Sequence, residues 1–579
     1  MHPTTAFAIL ATSTLLTGTL AQNMFKYPTA SAGQSFKQGD NITVSWQTDY
    51  KEPYLDLFCS YINNQLAYQG SADMDYNITI LLALALLGYT IYGAINRLFL
   101  SPVAKVPGPR LAILSFWYEF YYDVVLQGRY GYKIAELHKQ YGPIIRINPY
   151  EVHIDDPDFY DEVYVLGGKR KSDIWTWSAP MFGTPNSILA TIEHDVHRRR
   201  RNAYSTFFSK QSIRKYSGVV QANMDRVIAR FKEYQSKGQP VNLMHAWTAF
   251  TGDVVSEYCF PESYGFLKRA DFAPEYYELW ISIVSNSHIL KQFPWLFPMM
   301  NTFPMWFVDR FLPDLAVSYR WHRQWAKQIQ DIKSGERDTV KERGRPSVFE
   351  TLLDSDLPPY DKSVSRLVED AQTLVGAGSI TTSLILALTT YYVITDEEIL
   401  DKCMDELTQA IPDTDHALPL VELEKLPYLS AIILEALRIC YGVSHRLQRV
   451  CPNEVISYND YVLPPGTPVS MTSMLVHDNV SIFPDPRIFK PERWLPLETE
   501  GARLQKYLVA FSRGSRQCLG MHLGSAELYI GLSGLLRHFG RQLTVVDTVK
   551  ERDVDLIRDT FTPAMSPETK GIKVKIDKA

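Results

Sequence analysis

The sequence predicts a mainly helical protein with a smaller β region, preceded by a transmembrane helix. Three observations carry this reading. Helical periodicity dominates from Pro109 to the C-terminus, broken by short strand-like pieces at Ile144–Ile147, Val152–Ile154, Val455–Tyr458 and Tyr461–Leu463. An apolar run from Ile78 to Ile95 contains no charged residue and approaches the length of a membrane span. The six cysteines (Cys59, Cys259, Cys403, Cys440, Cys451 and Cys518) are scattered, with no Cys-x-x-Cys pair and no zinc spacing, which points to a reducing compartment for the main body.

From the N-terminus, residues 1–21 read as a secretory signal peptide, because Ala6 to Leu20 is apolar and small and ends in Thr-Leu-Ala before Gln22. Its positive charge comes only from His2 and the terminal amine. Residues 22–74 alternate like a strand around Ile42, Val44 and Trp46 and are too few to bury much core alone. This piece resembles the start of a small secreted fungal β-domain. Glycosylation sequons stand at Asn41-Ile42-Thr43 and Asn77-Ile78-Thr79. Met74 directly precedes the apolar run, so residues 22–74 read either as a lumenal extension or as an upstream exon joined in the gene model, and we favour the latter.

Residues 77–97 are the expected transmembrane anchor. Asp73 and Asp75 precede it while Arg97, Lys105 and Arg110 follow it, which orients the following body toward the cytosol. Residues 98–110 form a basic, proline-rich hinge ending in Pro107-Gly108-Pro109, a stiff break before the body at 111–579. Net charge is -5, with basic residues clustered only locally, so there is no electrostatic case for nucleic acid.

Within the body, His194-Asp195-Val196-His197 opens a helix continued by Arg198, Arg199, Arg200 and Arg201, a basic face suited to solvent or a partner. Ala377-Gly378-Ser379-Ile380-Thr381-Thr382 interrupts a long apolar helix that starts near Ser365. Glycine there costs on the order of 1 kcal/mol relative to alanine, and threonine hydroxyls bond back to the preceding turn. The stretch reads as a groove or as a close helix–helix contact. Glu435 and Arg438 share one face of a helix from about Tyr428 to Ile439, a common surface pair unless Arg493 of Pro491-Glu492-Arg493-Trp494 joins them, since two guanidinium forks can satisfy one buried carboxylate.

The most informative stretch is Phe511-Ser-Arg-Gly-Ser-Arg-Gln-Cys-Leu-Gly520, just before a helical pattern starting near Met521. Gly514 and Gly520 allow a tight turn around Cys518. A helix N-terminus and nearby arginines favour a thiolate, and Arg516 is placed to meet an anionic group on whatever Cys518 binds. An inert buried cysteine is the alternative.

The spacing of Phe511, Gly514, Arg516, Cys518 and Gly520 resembles the cysteine-ligand loop of the cytochrome P450 family. The resemblance extends over roughly residues 75–579 through Glu435–Arg438, Arg493 and the Ala377–Thr382 stretch. It implies haem b with Cys518 as iron ligand, Arg516 on a propionate, and Glu435, Arg438 and Arg493 as a structural lock. It implies that Thr381, with Thr382, Ser379 and water, serves proton delivery to bound O2. His197 and Arg201 have the spacing of a propionate pair; Arg449 aligns as a further propionate ligand, with Arg446 second. Arg198, Arg199 and Arg200 would meet the acidic face of NADPH–cytochrome P450 reductase, and Tyr441 to Ser444 would face substrate.

One departure stands out. The position before Thr381 is commonly acidic in the family, and here it is Ile380. The expected function is therefore a monooxygenase at the endoplasmic reticulum membrane, with a haem-thiolate isomerase or dehydratase as alternative; a secreted binding module rests only on residues 1–73. The aromatic and aliphatic stretches at Trp175–Trp177, Ile281–Ile289 and Phe293–Phe307 suit a lipophilic pocket, or core packing alone. His197–Phe208 and Ser512–Gly520 resemble fungal secondary-metabolite oxygenases of the trichodiene-oxygenase type, implying a terpenoid or polyketide substrate.

Overall fold

The computed structural model describes residues 73–165, 170–336, 345–413 and 417–578 of the chain. The expected signal peptide, the strand-like extension, Cys59 and the Asn41 sequon lie outside the described residues.

The helices that matter here, numbered in chain order, are α1 (Asp73–Ile95), α2 (His194–Ser205), α3 (Lys210–Lys237), α4 (Leu243–Cys259), α5 (Pro274–Ser285), α6 (Ser287–Gln292), α7 (Pro313–Ser334), α8 (Val364–Thr395), α9 (Pro427–Ile439) and α10 (Met521–Phe539). Their ends follow local chemistry. The Ser209 hydroxyl accepts from Ser212 N–H at the start of α3, and left-handed Gly238 closes that helix. Asn242 caps α4, while Pro427, with no N–H to lose, opens α9.

Helix α1 takes in Asn77 and continues as a single π turn, Asn96–Leu100. Two helices among the described residues are long and apolar enough to cross a membrane. In the Ile80–Leu100 segment no residue of the apolar window is buried, whereas 78% of the window in α8 is. Length and apolarity thus describe two situations: α8 is a core helix, and α1 carries its apolar residues uncovered.

The hinge is not a free break. Arg146 N–H donates to the Pro107 carbonyl at 2.7 Å, its guanidinium donates to the Arg97 carbonyl at 2.7 Å, and Val103 and Val106 are buried. Packing of the body therefore reaches back into residues 98–110.

Strands are short: β1 (Ile144–Arg146), β2 (Val152–Ile154), β3 (Asp173–Ile174), β4 (Val241–Asn242), β5 (Arg449–Val450), β6 (Ile456–Tyr458), β7 (Tyr461–Leu463), β8 (Pro468–Ser470), β9 (Leu543–Val546), β10 (Arg558–Thr560), β11 (Thr562–Ala564) and β12 (Lys573–Ile576). The largest sheet has the order β1-β2-β8-β5-β3, with β2 and β8 parallel and the other pairs antiparallel. Its last pairing sets Ile174 opposite Arg449, which fixes where that arginine starts. The hairpins β6–β7 and β10–β11 and the sheet β4-β12-β9 complete the β region.

The main core lies among α3, α4, α8, α9 and α10. Helices α4 and α8 are apolar on nearly every side, as a helix enclosed by others must be. Hydroxyls stitch them together: Thr251 Oγ1 donates to the Ser379 carbonyl at 2.9 Å and Thr248 Oγ1 to Ser383 Oγ at 3.1 Å.

Candidate active site

The segment entering α10 is held from three directions. Val509 N–H donates to Nε2 of buried His477 at 2.9 Å, while Nδ1–H of the same ring donates to the Arg438 carbonyl at 2.8 Å. Both bonds require the neutral imidazole; burial, then the Arg438 charge, pushes its pKa down to about 3. Cys518 N–H donates to the Phe511 carbonyl at 2.9 Å and Gln517 N–H to the Gly514 carbonyl at 3.1 Å, closing the loop on itself. Gly514 has φ +78°, and a Cβ there would stand 2.5 Å from the Val165 carbonyl oxygen. Gly520 differs from expectation. Its φ is -87°, and a Cβ would meet nothing within 4 Å. The protein itself does not demand glycine at 520; the space beside it is open.

Of the five free cysteines among the described residues, four are buried and only Cys518 keeps an exposed surface. Yet protein surrounds it closely enough that burial raises its pKa, against the lowering pull of the Gly520 backbone N–H and the Arg201 charge. A sulfur both accessible and desolvated faces an internal space rather than bulk water. The two lowering influences favour the thiolate once a cation or metal arrives.

Around that space stand three arginines that form no salt bridge among the described residues, with a neutral histidine beside them and Asp173 as the acidic charge felt by Arg516. His197, Arg201, Arg449 and Arg516 lie near enough to perturb one another: burial, then the charges of Arg516, Arg201 and Arg449, hold His197 down to about 2. Burial, then Arg449, brings Arg516 to about 9. No salt bridge reaches Arg201, Arg449 or Arg516 among the described residues, and the buried His197 Nδ1 and Gln448 Nε2 have no hydrogen-bond partner. Such an arrangement calls for a negatively charged ligand.

Individual roles expected from the sequence change here. Arg516 does not reach out toward an anion; its guanidinium donates to the carbonyls of Ser172, Thr191 and Ile192 at 3.2, 2.8 and 2.6 Å, tying the cysteine loop to β3 and the entry of α2. Arg446 is unavailable, since Glu119 and Glu151 hold it at 2.6 and 3.0 Å. Arg200 is buried and paired with Asp361 at 2.8 Å, and half-exposed Arg199 pairs with the same carboxylate at 3.0 Å, leaving exposed Arg198 as the free basic side chain of this trio. Tyr441 and Ser444 are buried, bonded to Asp478 and Asp559 at 2.9 Å each, so neither is free to face a substrate.

Helix α8 runs unbroken through the Ala377–Thr382 stretch, without the expected interruption. A Cβ on Gly378 would lie 2.8 Å from Val255 Cγ2, and one on Gly376 2.4 Å from the Trp280 ring, so these glycines let α4 and α5 approach. Between residues 375 and 390 of this helix the positions that are not buried are Ala377, which is exposed, and Gly378 and Thr381, which are half-buried. Residues 377 and 381 stack one turn apart, so α8 presents one small-residue stripe to open space. Thr381 Oγ1 donates back to the Ala377 carbonyl at 2.8 Å. Ser379 and Thr382 belong elsewhere. Ser379 bonds the Tyr276 hydroxyl at 2.8 Å, and Thr382 faces α10, where its hydroxyl lies beside Gly524 and near Glu527. Glu527 escaped the sequence reading because a lone glutamate in a helix carries no signal of burial; burial raises its pKa well above the ordinary value and keeps it neutral. Ile380 is buried in the core.

A third arrangement supports the loop from behind. Arg438 grips Glu435 with two N–H groups, each at 2.8 Å, and Arg493 Nε donates to Glu435 Oε1 at 3.1 Å. Trp494 Nε1 and Lys490 N–H add bonds of 2.9 Å each. Spare N–H groups of the two arginines reach the carbonyls of His477, Pro484 and Pro486 at 3.1, 2.8 and 2.7 Å. The structure thus brings Glu435, Arg438 and Arg493 into one buried network.

An accessible desolvated thiol, open space beside Gly520, unneutralised cations and orphaned donors together fit haem, which offers iron to sulfur and carboxylates to arginine. The Cytochrome P450 family model matches residues 107–563. A protein named cytochrome P450 monooxygenase tpcC, from Cochliobolus heterostrophus, is 39% identical over 530 residues, covering 88% of this chain and 100% of that protein. Tryptophan 6-hydroxylase fscE from Fusarium equiseti is 39% identical over 485 residues, covering 84% of this chain and 94% of its own. N-acetyltryptophan 6-hydroxylase ivoC from Emericella nidulans is 40% identical over 506 residues, covering 86% and 97%.

Removing Glu435 strands two buried guanidinium groups at a cost of roughly 3–5 kcal/mol. Glu435→Ala is expected to give little soluble protein, and what folds should unfold at clearly lower denaturant concentration. Wild-type yield and an unchanged unfolding midpoint would mean that the network adds nothing to the fold.

Proposed function

The chain belongs to the cytochrome P450 family, and on that premise we propose that it is a membrane-anchored haem-thiolate monooxygenase of fungal secondary metabolism. It oxidises a lipophilic small molecule with O2 and with electrons from NADPH, passed on by a cytochrome P450 reductase. The observation that carries this reading is Cys518: the one exposed cysteine among those described, in desolvated surroundings with Arg201 and Arg449, which form no salt bridge among the described residues, nearby.

Cys518 would hold the haem iron, with Arg201, Arg449 and His197 toward its carboxylates, and when bound the haem supplies the redox chemistry that activates O2. The chain's own residues set the conditions for that chemistry. The Gly520 N–H and Arg201 favour the thiolate over the thiol. Arg516 acts through position, locking the cysteine loop to three carbonyls. On the opposite wall Thr381 offers a hydroxyl that can turn from the Ala377 carbonyl to hold a water or pass a proton. Ile380 carries no proton, so delivery depends on hydroxyls and water rather than on an adjacent acid. Exposed Arg198, with Arg199 half-exposed beside it although paired with Asp361, provides positive charge for an acidic reductase face, where complementarity mainly raises the rate of encounter.

If Cys518 is the ligand, Cys518→Ala protein should lose the carbon monoxide difference spectrum of a thiolate haem. Survival of that spectrum in the mutant, with loss in a mutant of another cysteine, would overturn the assignment.

The substrate we favour is a terpenoid or polyketide intermediate. Two relatives carry the names of tryptophan and N-acetyltryptophan hydroxylases, which makes an indole-bearing molecule the second reading. Deleting the gene and profiling metabolites should reveal an accumulating, less oxidised precursor that decides between them. With that precursor, Thr381→Ala is expected to bind normally while NADPH consumption leaks into peroxide. An unchanged product-to-NADPH ratio would remove Thr381 from proton delivery, and product formed without reductase would favour the isomerase.

Residues 77–97 are proposed as the anchor, 98–110 as the linking segment and 111–579 as the cytosolic catalytic body at the endoplasmic reticulum. Support comes from the uncovered apolar residues of the Ile80–Leu100 segment and the acidic-before, basic-after flanks. The full chain should resist alkaline carbonate extraction from membranes, and a chain starting at Lys105 should not. Equal extraction of both would refute the anchor.

A further inference from the structure

A second buried group of ionisable side chains shares no residue with the cysteine site. It forms where the helical segment 117–125, α6, the residues leading into β2, the stretch after α9 and β10 converge. Lys291 Nζ lies 2.7 Å from Glu119 Oε1 and 3.2 Å from Asp123 Oδ2. Arg446 reaches Glu119, Glu151 and Asp123 at 2.6, 3.0 and 3.9 Å. The chain of contacts continues through His288, whose Nδ1 stands 3.5 Å from Asp123 Oδ2 and whose Nε2 bonds the Asp559 carbonyl at 2.7 Å. His445 Nδ1 bonds Asp559 Oδ2 at 3.1 Å, and Ser444 donates to Asp559 Oδ1 at 2.9 Å.

Charge does not balance in this group. Glu119, Asp123, Glu151 and Asp559 face only Lys291 and Arg446 as fixed cations, and all six are at most 2% exposed. With neutral imidazoles two negative charges remain in excess, in surroundings where uncompensated charge is costly. Burial raises the pKa of Glu151, whereas nearby cations hold the Glu119 carboxyl below its ordinary value.

Both histidines also have a nitrogen to spare. His288 Nδ1 and His445 Nε2 make no hydrogen bond, although each residue is only 2% exposed. Their other nitrogens are engaged by Asp559, through its carbonyl and its carboxylate respectively. One ligand atom from each of His288, His445 and Asp559 falls within a set whose members all lie within 4.8 Å of one another.

We propose that His288, His445 and Asp559 form a binding site for a divalent transition metal, zinc in the first place. Two imidazoles and one carboxylate are a donor set that suits zinc and leaves a fourth position open. Bond lengths of about 2.0–2.2 Å require the three side chains to draw together by on the order of 1 Å. The bound ion would offset the surplus negative charge, and its ligands would give up any proton they carry. It would also clasp α6 to β10 and to the stretch after α9. Because none of these residues belongs to the cysteine site, the proposal stands or falls independently of the monooxygenase reading.

The test uses the full-length holoprotein, stripped with EDTA and titrated with ZnCl2, with zinc and iron counted separately by mass spectrometry. One zinc per chain should be retained after gel filtration, protons should be released on binding, and zinc should raise the melting temperature. His288→Gln and His445→Gln should each weaken zinc binding by more than the roughly 10–100-fold that follows loss of an orienting partner. Their iron content reports whether they folded, and His538→Gln, far from these residues in sequence, should bind zinc like wild type. Failure of the wild-type chain to retain zinc, or unaltered affinity in both folded histidine variants, would overturn the site.

Discussion

The carboxylate of Glu435 is the point on which the rest of this structure turns. Its two oxygens receive N–H groups from Arg438, Arg493, Trp494 and Lys490. A buried ion pair is weak evidence for stability, because desolvation consumes most of what the attraction returns. What this one supplies is register. Helix α9 and the stretch 484–494 can meet in one way only, since a shift by one residue would leave a buried guanidinium without its acceptors. From Arg438 the constraint passes through His477 to Val509, and from there to the loop that ends at Cys518. The position of one sulfur is thus specified by a carboxylate that never touches it.

Opposite logic governs the space that Cys518 faces. Around Glu435 every charge is answered; around Cys518 the cations are not. Leaving arginines near one another in a desolvated space costs stability, and a protein tolerates this where an anionic ligand returns it. The arginines also divide the labour. Arg516 gives its guanidinium to backbone carbonyls and holds the loop, while the Arg201 guanidinium makes no hydrogen bond or salt bridge among the described residues and lies near the sulfur.

How much of this could be read from the sequence depended on whether a feature was encoded over short distance. The starts of α2 and α10, the span of α9 and the hairpin strands β6 and β7 follow local periodicity, caps and turns, and their expected positions lie within a residue or two of those observed. The two-residue strands β3 and β5 carry too little pattern to announce themselves, yet their pairing is what seats Arg449. The family resemblance could rank Arg449 ahead of Arg446 without giving the physical reason. It could not show that Glu119 and Glu151, hundreds of residues away, consume one of them. In the same way Arg200 looked like surface charge until Asp361 claimed it. Polar residues whose partners are remote in sequence are where reading residue by residue runs out.

In helix α8 the second of the two readings of the Ala377–Thr382 stretch, a close helix–helix contact, is the one its glycine follows. A glycine in a helix interior invites the reading of a loosened backbone, but Gly376 and Gly378 are small because Trp280 and Val255 press against them. The open stripe comes instead from Ala377 and Thr381, one turn apart on another side of the helix. This also accounts for Ile380. Its position points into the packed core, where an acid would be buried without a partner and would cost several kcal/mol or stay protonated. An apolar residue there stabilises the helix that carries the threonine, and it leaves Thr381 as the polar group between 377 and 382 whose side chain faces neither α10 nor the packing with α4 and α5. With the acid absent, the chemistry of this wall reduces to one hydroxyl and the water it can hold.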